Sequence, residues 1–376
     1  MKNQDIHIGI LSGTSMDSID CVICDFKNQG YNIIDFIEAP YPSALKAKLK
    51  SLSENDLKDR KNTDSLDIEL SESYVKLIDK IIKKTKKSSE EISAIGMHGQ
   101  TIAHVVHENN VNSIQIGSPE FIAKSLKINV VANFRQDDIN DGGQGAPLAP
   151  LFHEYIFNKH DKNQAVVNIG GISNISFLPI TKKEIIGYDT GPGNTLIDKW
   201  MQEKYNLPYD KDGEISNSAQ FSDKLLNIFL NDNYFLKTYP KSVGAEYFSL
   251  SWIEKNINKI PEFKEISPKV VASTLAKLTS ETIVSQVKNN MGNCDEIIIS
   301  GGGAYNKSIV SNIKIDMEEN FGKDIIVCTT KNYGFNPKTI EAGLFAWLAM
   351  CKISSTKLDY RSITGSSNIK TIGKIY

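Results

Sequence analysis

The sequence shows no surplus of charge, because 43 lysines and arginines stand against 45 aspartates and glutamates, a formal net charge of -2. A protein that binds nucleic acid through its phosphates carries a basic surplus, so the composition argues against that class of partner. No apolar run approaches the roughly 20 residues of a membrane-spanning helix. The N-terminal residues also lack the apolar core of a signal peptide. We therefore expect no membrane association, a cytoplasmic location and, from the length of 376 residues, about two globular domains.

Cysteine is scarce, and its spacing argues against a redox or zinc site. The five cysteines are Cys21, Cys24, Cys294, Cys328 and Cys351. Cys21-x-x-Cys24 has the spacing of such a site, but the segment alternates like a strand, in which residues three apart point to opposite faces. No second pair lies nearby to complete a four-cysteine zinc site. We expect buried, chemically inert thiols.

Two common nucleotide-binding motifs are also missing. No Gly-Lys-Ser/Thr sequence opens a helix as in a Walker A loop, and the run of glycines at 301–303 lacks the G-x-G-x-x-G spacing. That run follows a predicted strand and precedes a helix, where a backbone without side chains can approach a nucleotide closely. The sequence therefore favours a different kind of phosphate site.

Residues 6–26 predict a hairpin, because an apolar run enters a small polar turn and an alternating run leaves it. The turn contains Gly13, two hydroxyls and Asp17. Glycine lets successive N–H groups point into one concavity that holds phosphate oxygens, and Asp17 could hold a cation through water. An ordinary surface hairpin is the alternative interpretation of this stretch alone.

A second unit of this kind lies in the other half of the chain. Residues 164–169 and 173–178 predict two strands joined at Gly170-Gly171. Two such hairpins, one in each half, can hold a phosphate chain from both sides, an arrangement found in ATP-binding folds of the actin, hexokinase and Hsp70 type.

Polar groups follow several predicted strands. His98 and Gln100 come directly after the strand predicted at 92–97, a position where α/β sheets bind ligands. The loop predicted at 133–147 contains Arg135, whose fork of donors suits a carboxylate or sugar hydroxyls, and three glycines that suit a hinge beside a cleft. The histidines of this region have no carboxylate at metal-ligand spacing, so we expect hydrogen-bonding or surface roles for them.

Two acidic residues have two possible interpretations each. Asp189 ends a strand predicted at 185–188, beside a Gly-Pro-Gly turn that opens a helix, so it is either a general base or an N-cap or Asx-turn residue. Glu341 lies near the start of the helix predicted at 337–350. It either favours the helix dipole or reaches a cleft.

The ordered set of these motifs resembles the anhydro-N-acetylmuramic acid kinase family over nearly the whole chain. The residues that carry the resemblance are those at 13–20, 98–101, 134–138, 142–147, 168–174, 189–194, 241–248, 301–306 and 341–346. The resemblance implies an α/β, two-domain actin/hexokinase/Hsp70-like (ribonuclease H-like) fold, with mixed sheets flanked by helices and ATP in the interdomain cleft. It places one lobe at 1–133 plus 351–376 and the other at 134–350.

The implied reaction is kinase chemistry. ATP, with Mg²⁺, would phosphorylate O6 of 1,6-anhydro-N-acetylmuramic acid while water opens the anhydro bridge, giving N-acetylmuramic acid 6-phosphate and ADP in peptidoglycan recycling. A homodimer is also implied. The alternatives are a kinase of the same fold that acts on an ordinary sugar hydroxyl, and a non-enzymatic ATP switch, for which the chain lacks an added peptide-binding domain.

The resemblance implies roles for individual residues, in this sequence's numbering. Asp189 is the predicted catalytic base. The predicted nucleotide contacts are Gly13, Thr14, Ser15, Met16, Asp17, Ser18, Ile19, Asp20, Gly170, Gly171, Gly302 and Gly303, with Asp17 as the metal ligand. The predicted sugar contacts are His98, Gln100, Arg135, Asp138 and Glu341.

Overall fold

The computed structural model describes residues 5–13, 16, 18–54, 63–107, 110–158, 161–180, 184–244 and 246–376. The strands are β1 (Ile6–Ser12), β2 (Ser18–Asp25), β3 (Asn32–Pro40), β4 (Ala94–His107), β5 (Asn110–Ile116), β6 (Val130–Ala132), β7 (Gln164–Ile169), β8 (Ile172–Leu178), β9 (Ile186–Pro192), β10 (Glu296–Ser300), β11 (Ile326–Thr329) and β12 (Lys374–Ile375).

The α-helices are α1 (Ser43–Glu54), α2 (Asp64–Lys84), α3 (Pro119–Leu126), α4 (Phe134–Asn140), α5 (Ala149–Phe157), α6 (Thr195–Tyr205), α7 (Asp223–Leu230), α8 (Leu250–Ile257), α9 (Pro268–Asn290), α10 (Lys307–Phe321) and α11 (Thr339–Ile353). In the part of the chain that is described, no helix is both long and apolar enough to cross a bilayer.

The chain forms two compact units. Unit 1 comprises Met1–Phe152 with Lys338–Tyr376, and unit 2 comprises His153–Pro337. Each is built on its own β-sheet with both parallel and antiparallel pairs, flanked by helices. The predicted α/β class with two mixed sheets is therefore confirmed.

The sheet of unit 1 has the strand order β12-β6-β4-β1-β2-β3, with β5 paired to β4. The predicted hairpin at 6–26 is confirmed, because β1 and β2 pair antiparallel from Ile6 opposite Asp25 to Ser12 opposite Ile19. Helix α2 is amphipathic. It buries Leu70, Tyr74, Leu77, Ile78 and Ile81 in the same apolar core as β1 and β4.

The backbone of helix α11 packs directly against the backbone of this sheet. A Cβ added at Gly9 on β1 would lie 1.8 Å from the carbonyl oxygen of Ala342, and one added at Gly96 on β4 would lie 1.8 Å from that of Phe345. Both contacts are far shorter than van der Waals distance, so only glycine permits the packing.

The compact units differ from the predicted lobes by two segments, 134–152 and 338–350, which belong to unit 1. Tertiary packing, which a local sequence pattern does not show, places these two segments in unit 1. Helix α11 lies on β1 and β4, and Phe134 at the start of α4 packs on Phe345 of α11 with ring centroids 5.8 Å apart.

The sheet of unit 2 has the strand order β11-β10-β7-β8-β9. Strands β7, β8 and β9 are successively antiparallel, whereas β10 and β11 run parallel to β7. The second predicted hairpin is thus confirmed, with Gly170-Gly171 between its strands. Residues Val167, Ile169, Ile175, Tyr188 and Ile299 enter the apolar core of this unit.

The two sheets repeat one topology. The order β3-β2-β1-β4-β6 in unit 1 has the same sequence of antiparallel and parallel pairs as β9-β8-β7-β10-β11 in unit 2. The two glycine-containing turns therefore occupy corresponding positions. This repetition agrees with the predicted fold class, in which each lobe supplies one such hairpin.

Several predicted boundaries are wrong. The motif beginning at His98 lies inside β4 and not after it, because the strand runs on to pair with β5. Part of the predicted loop at 133–147 is helix α4. Strand β9 continues through Asp189 to Pro192.

The prediction of buried cysteines is confirmed for four of the five. Cys21, Cys24, Cys294 and Cys351 are buried, whereas Cys328 is partly exposed and its thiol donates to Glu296 Oε1 at 3.6 Å. Burial raises the pKa of Cys294 and of Cys351 to about 12, so both thiols stay protonated and poorly reactive near neutral pH.

Candidate active site

The turn Gly170-Gly171 of unit 2 is anchored through its carbonyl groups. The Gly170 carbonyl accepts the N–H of Asn194 at 2.8 Å, and the Gly171 carbonyl accepts those of Gly193 at 2.9 Å and Thr195 at 3.1 Å. The Asn194 side chain also donates to the Gly170 carbonyl at 3.1 Å. The start of helix α6 therefore fixes the conformation of the turn.

The N–H groups of the same turn have no acceptor in the described part of the chain. Neither Gly170 nor Gly171 donates a backbone hydrogen bond to another described residue. Both residues are partly exposed. Successive N–H groups with fixed carbonyls form a concavity suited to an anion. This geometry suits the phosphate contact that the sequence predicts for these two residues.

Two other glycine segments approach this turn. A Cβ added at Gly193 would lie 2.3 Å from the Gly170 carbonyl oxygen. One added at Gly303 would lie 2.3 Å from Ile169 Cγ2, and one at the exposed Gly302 would lie 3.6 Å from Asn194 Nδ2. The structure thus brings the predicted phosphate turn and the predicted adenosine turn together.

Asp189 lies on the edge strand β9, and both its side chain and its backbone form hydrogen bonds. Its Oδ2 accepts the N–H of Val243 at 3.0 Å, and its own N–H donates to the carbonyl of Lys241 at 3.2 Å. Its carbonyl accepts the hydroxyl of Tyr234 at 2.8 Å. The N-cap interpretation does not fit, because Asp189 lies within β9 and the N-cap residue of α6 is Asn194.

A polar row crosses this sheet at the level of Asp189. Ser300, Asn168, Asn174 and Asp189 are direct partners on β10, β7, β8 and β9. Cross-strand partners share a face of a sheet. The catalytic candidate is therefore the edge member of a polar row, and the member of that row on β7, Asn168, lies two residues before the glycine turn.

The turn of the first hairpin is held by Gln100. The amide of Gln100 is fully buried, and its Nε2 donates to the Gly13 carbonyl at 3.2 Å. Its Oε1 accepts the hydroxyl of Tyr41 at 2.5 Å. The Gly13 carbonyl also accepts the N–H of Met16 at 3.0 Å. Gln100 therefore supports the predicted phosphate turn of unit 1.

The other predicted nucleotide contacts of unit 1 are of three kinds. Thr14, Ser15 and Asp17 lie outside the described residues. Met16 and Ile19 are buried in the apolar core. Ser18 donates its hydroxyl to Asp20 Oδ1 at 2.7 Å, and both residues are partly exposed.

His98 and Arg135 form one group in unit 1. Arg135 Nε donates to His98 Nε2 at 2.8 Å, and arginine is always a donor, so His98 carries its proton on Nδ1 and donates to the Gly99 carbonyl at 3.0 Å. Burial, and then the neighbouring Arg135 charge, lower the pKa of His98 well below its ordinary value. The ring is therefore neutral and holds the guanidinium in place.

Strand β4 bulges at His98. Ile10 pairs with Met97 and the next residue, Leu11, pairs with Gly99, which leaves His98 without an opposite residue. Gly99 has a φ of +82°, which glycine adopts without strain. Bulges of this kind turn a side chain away from its regular direction.

Asp138 is buried, and both of its oxygens are occupied. Oδ2 accepts the N–H of Gly145 at 2.7 Å, and Oδ1 accepts the hydroxyl of Thr364 at 2.7 Å. Burial raises the pKa of Asp138. Because the Gly145 carbonyl in turn accepts Arg135 Nη1 at 3.2 Å, Asp138 holds the loop that orients Arg135.

Glu341 is exposed in the first turn of α11. It belongs to unit 1, as do His98, Gln100, Arg135 and Asp138, whereas Asp189 belongs to unit 2. Within the described residues, no group of three or more histidine, cysteine, aspartate or glutamate side chains could hold a metal ion.

Asn194 had no predicted role of its own, but its side chain donates to the Ile169 and Gly170 carbonyls, at 3.2 and 3.1 Å. The available signal was its position directly after Gly191-Pro192-Gly193 and before a helix. An asparagine there is usually a helix N-cap. Here its side chain turns to the phosphate turn instead of capping α6.

A family model for anhydro-N-acetylmuramic acid kinase matches residues 5–376. The chain belongs to this family. It is 37% identical to the anhydro-N-acetylmuramic acid kinase of Coxiella burnetii (strain Dugway 5J108-111), over 99% of this chain and 98% of that protein. It is 36% identical to that of Shewanella sp. (strain MR-4), with the same coverage of both chains.

Solved structures of lower similarity span most of the chain. The activator of the 2-hydroxyisocaproyl-CoA dehydratase from Clostridium difficile with bound ADPNP is 12% identical, with a TM-score of 0.47, over 93% of this chain and 96% of that one. A ROK family glucokinase from Streptomyces griseus in complex with glucose and AMPPNP is 13% identical, with a TM-score of 0.38, over 91% and 97%.

Proposed function

We propose that this member of the anhydro-N-acetylmuramic acid kinase family hydrolytically opens 1,6-anhydro-N-acetylmuramic acid and phosphorylates O6 with ATP. The products are N-acetylmuramic acid 6-phosphate and ADP. The observation that carries the proposal is family membership over residues 5–376. It is supported by a carboxylate, Asp189, on the same sheet as a glycine turn whose N–H groups have no acceptor among the described residues.

The Gly170-Gly171 turn binds phosphate oxygens through its two N–H groups. Phosphoryl transfer spreads negative charge over the peripheral oxygens, so donors that are already oriented stabilise the transition state without reorganising. Gly302 is exposed and leaves room for the adenosine because it carries no side chain, and Gly303 allows this segment to pack closely on Ile169. Residues 13–20 form the second predicted phosphate contact, with Asp17 as the predicted ligand of Mg²⁺, which would neutralise phosphate charge.

Asp189 acts as the general base. It takes a proton from water, the water oxygen bonds to C1 of the sugar, and the C1–O6 bond breaks. The electron pair of that bond stays on O6, which forms a bond to the γ-phosphorus while the bond from that phosphorus to the β-phosphate bridging oxygen breaks. Ring opening thus supplies the phosphoryl acceptor, and one water, one anhydro sugar and one ATP give one sugar phosphate, one ADP and one proton.

The residues that are predicted to contact the sugar all belong to unit 1. Arg135 is the candidate for the lactyl carboxylate, because a guanidinium binds a carboxylate through two parallel hydrogen bonds. His98 holds the guanidinium from one side and the Gly145 carbonyl holds it from the other. Glu341 remains a candidate for a sugar hydroxyl. Gln100 and Asp138 act indirectly, since their polar atoms are occupied by protein partners.

The cellular setting follows from the substrate. We infer a cytoplasmic enzyme of peptidoglycan recycling that works as a homodimer. Lobe boundaries at 133/134 and 350/351 likewise remain predictions about the parts of the chain that move as bodies during turnover.

The decisive experiment follows the oxygen of water. The protein is incubated with ATP, Mg²⁺ and 1,6-anhydro-N-acetylmuramic acid in ¹⁸O-labelled water, and the product is examined by mass spectrometry at early times. We expect one ¹⁸O at C1 and an unlabelled phosphate on O6. Unlabelled N-acetylmuramic acid 6-phosphate kept in the same water for the same time measures non-enzymatic exchange at C1.

Two results would contradict the proposal. Product without ¹⁸O at C1 would mean that water does not open the bridge. Turnover of free N-acetylmuramic acid or another sugar, with none of the anhydro sugar, would favour the alternative, a kinase of an ordinary sugar hydroxyl.

A further inference from the structure

Lys241 is a buried lysine beside the proposed base. The residue is 5% exposed, and its Nζ is buried without a hydrogen-bond partner among the described residues. A buried ammonium without hydrogen bonds is unfavourable, because it has lost its water and gained no acceptor. Structure alone gives no reason to keep such a group, which makes it a candidate for a role in function.

Aromatic faces and one carboxylate compensate for the lost water. Lys241 Nζ lies 5.0 Å from the ring centroid of Tyr234 and 5.8 Å from that of Tyr188, within the range of cation–π attraction. Two charged groups act on it, Asp189 on β9 and Lys237 on the segment after α7. Burial lowers the pKa of Lys241, and Asp189 raises it.

The backbone fixes Lys241 next to Asp189. The Lys241 carbonyl accepts the Asp189 N–H, and two residues later the Val243 N–H donates to Asp189 Oδ2. Tyr234, whose ring faces the ammonium, donates its hydroxyl to the Asp189 carbonyl. One segment thus carries both the positive charge and a donor to the carboxylate.

We propose that Lys241 is a positioning residue whose fixed positive charge keeps the Asp189 carboxylate ionised. The proposal rests on the proposed function, because it assigns Lys241 a purpose only if Asp189 serves as a base. A nearby opposite charge stabilises the ionised form of a carboxyl group. A base must be unprotonated before it takes a proton from water, so loss of this charge reduces the active fraction at low pH.

The direct test is an NMR titration that needs no turnover. The ¹³C carboxyl signal of Asp189, assigned by its absence in Asp189→Asn, is followed against pH in the wild type, Lys241→Met and Lys241→Arg. We expect the midpoint to move to higher pH in Lys241→Met and to stay near the wild-type value in Lys241→Arg. An unchanged midpoint in a folded Lys241→Met protein would overturn the proposal.

The matched control is Lys237→Met. Lys237 Nζ lies 5.9 Å from the same Tyr234 ring, but the residue is exposed, so solvent screens its charge. We expect this variant to leave the Asp189 midpoint where it is. If the Asp189 midpoint moved equally in Lys237→Met and Lys241→Met, any nearby lysine would have the effect. That result would overturn the specific assignment to Lys241.

A reciprocal measurement covers the case in which Lys241→Met does not fold. Coupling between two titrating groups acts equally on both, so Asp189→Asn must lower the pKa of Lys241. The ¹⁵Nζ signal of Lys241 reports this. The same titration curve in Asp189→Asn and in the wild type would refute the coupling.

Kinetics then separate this proposal from the proposed function. With the anhydro sugar and ATP, the acidic limb of the kcat profile in Lys241→Met moves to higher pH. At a pH on that limb, kcat falls about tenfold for each pH unit by which the limb has moved. At alkaline pH, kcat recovers toward the wild-type value. A displaced NMR midpoint in a protein that never consumes the anhydro sugar would support the pairing and refute the proposed reaction.

Discussion

Gly193 tests whether the phosphate turn must keep its observed position. In Gly193→Ala the new Cβ would lie 2.3 Å from the Gly170 carbonyl oxygen and 3.3 Å from that of Gly171. Real Cβ contacts shorter than 3.0 Å essentially do not occur, so one backbone segment must move by about 0.7 Å (3.0 minus 2.3). The atoms met are backbone atoms, so a rotamer change cannot relieve the clash.

That displacement acts on both function and stability. It shifts the N–H groups of Gly170 and Gly171 and stretches the hydrogen bonds that end on their carbonyls. A misplacement of about 1 Å costs roughly a hundredfold in rate, so we expect kcat/KM for ATP to fall by about tenfold to a hundredfold. Overpacking of this size destabilises by about 1–3 kcal/mol.

The assay is steady-state ADP release at saturating anhydro sugar, with ATP varied, together with thermal unfolding followed by circular dichroism. Gly292→Ala is the matched control, because nothing lies within 4 Å of a Cβ added there. We expect that variant to behave like the wild type. If Gly193→Ala kept the wild-type kcat/KM for ATP and the wild-type melting temperature, the proposed role of the turn would be wrong.

Two further predictions concern Gln100 and His153. Gln100→Leu removes the Gln100 amide from the Gly13 carbonyl, which keeps the Met16 N–H, and removes the acceptor of the Tyr41 hydroxyl, so we expect a loss of about 1–3 kcal/mol in urea unfolding and a raised KM for ATP. Tyr41→Phe keeps the bond to Gly13 and should leave KM unchanged; equal KM values for both variants would contradict this. Burial lowers the pKa of His153 to about 3. Below about pH 6.5 the unfolded chain therefore binds a proton at this residue that the folded chain does not bind. The free energy of unfolding consequently falls as the pH decreases from about 6.5 toward 3. His153→Gln should flatten the plot of unfolding free energy against pH by up to about 1.4 kcal/mol per pH unit in that window, and an unchanged slope would contradict the assignment.

Local patterns were sufficient for the hairpins and for the long amphipathic helix. In 6–26 and 164–178 the alternation of apolar residues and the glycine turn lie within a few residues of each other, so neighbouring residues determine the structure. Helix α2 shows its apolar face in its own sequence. The family motifs added the order in which these elements occur.

Contacts between distant residues could not be predicted in this way. Gln100 supports Gly13 across 87 residues and Tyr41 across 59, and its sequence position suggested a ligand contact instead. Helix α4 begins after Asn133, whose left-handed φ of 61° breaks the local helical pattern. Helix α11 packs on the sheet of unit 1 because Gly9 and Gly96, far away in the sequence, admit its backbone, and no pattern near residue 340 shows this.

Lys241 shows the same limit at the candidate site. In the sequence it belongs to one of the family motifs and has no predicted role of its own. Its importance depends on burial, on the rings of Tyr188 and Tyr234, and on Asp189, none of which adjoins it in sequence.

The central claim is that Asp189 activates water while the glycine turn holds ATP, and Asp189→Asn tests it most directly. Asparagine keeps an oxygen for the Val243 N–H but cannot take a proton, so the local geometry is retained while the base is lost. The measurement is turnover of the anhydro sugar beside the affinity for a non-hydrolysable ATP analogue, in the variant and the wild type. We predict a loss of about 10²–10⁴-fold or more in kcat with analogue affinity unchanged, whereas turnover at the wild-type rate would contradict the account.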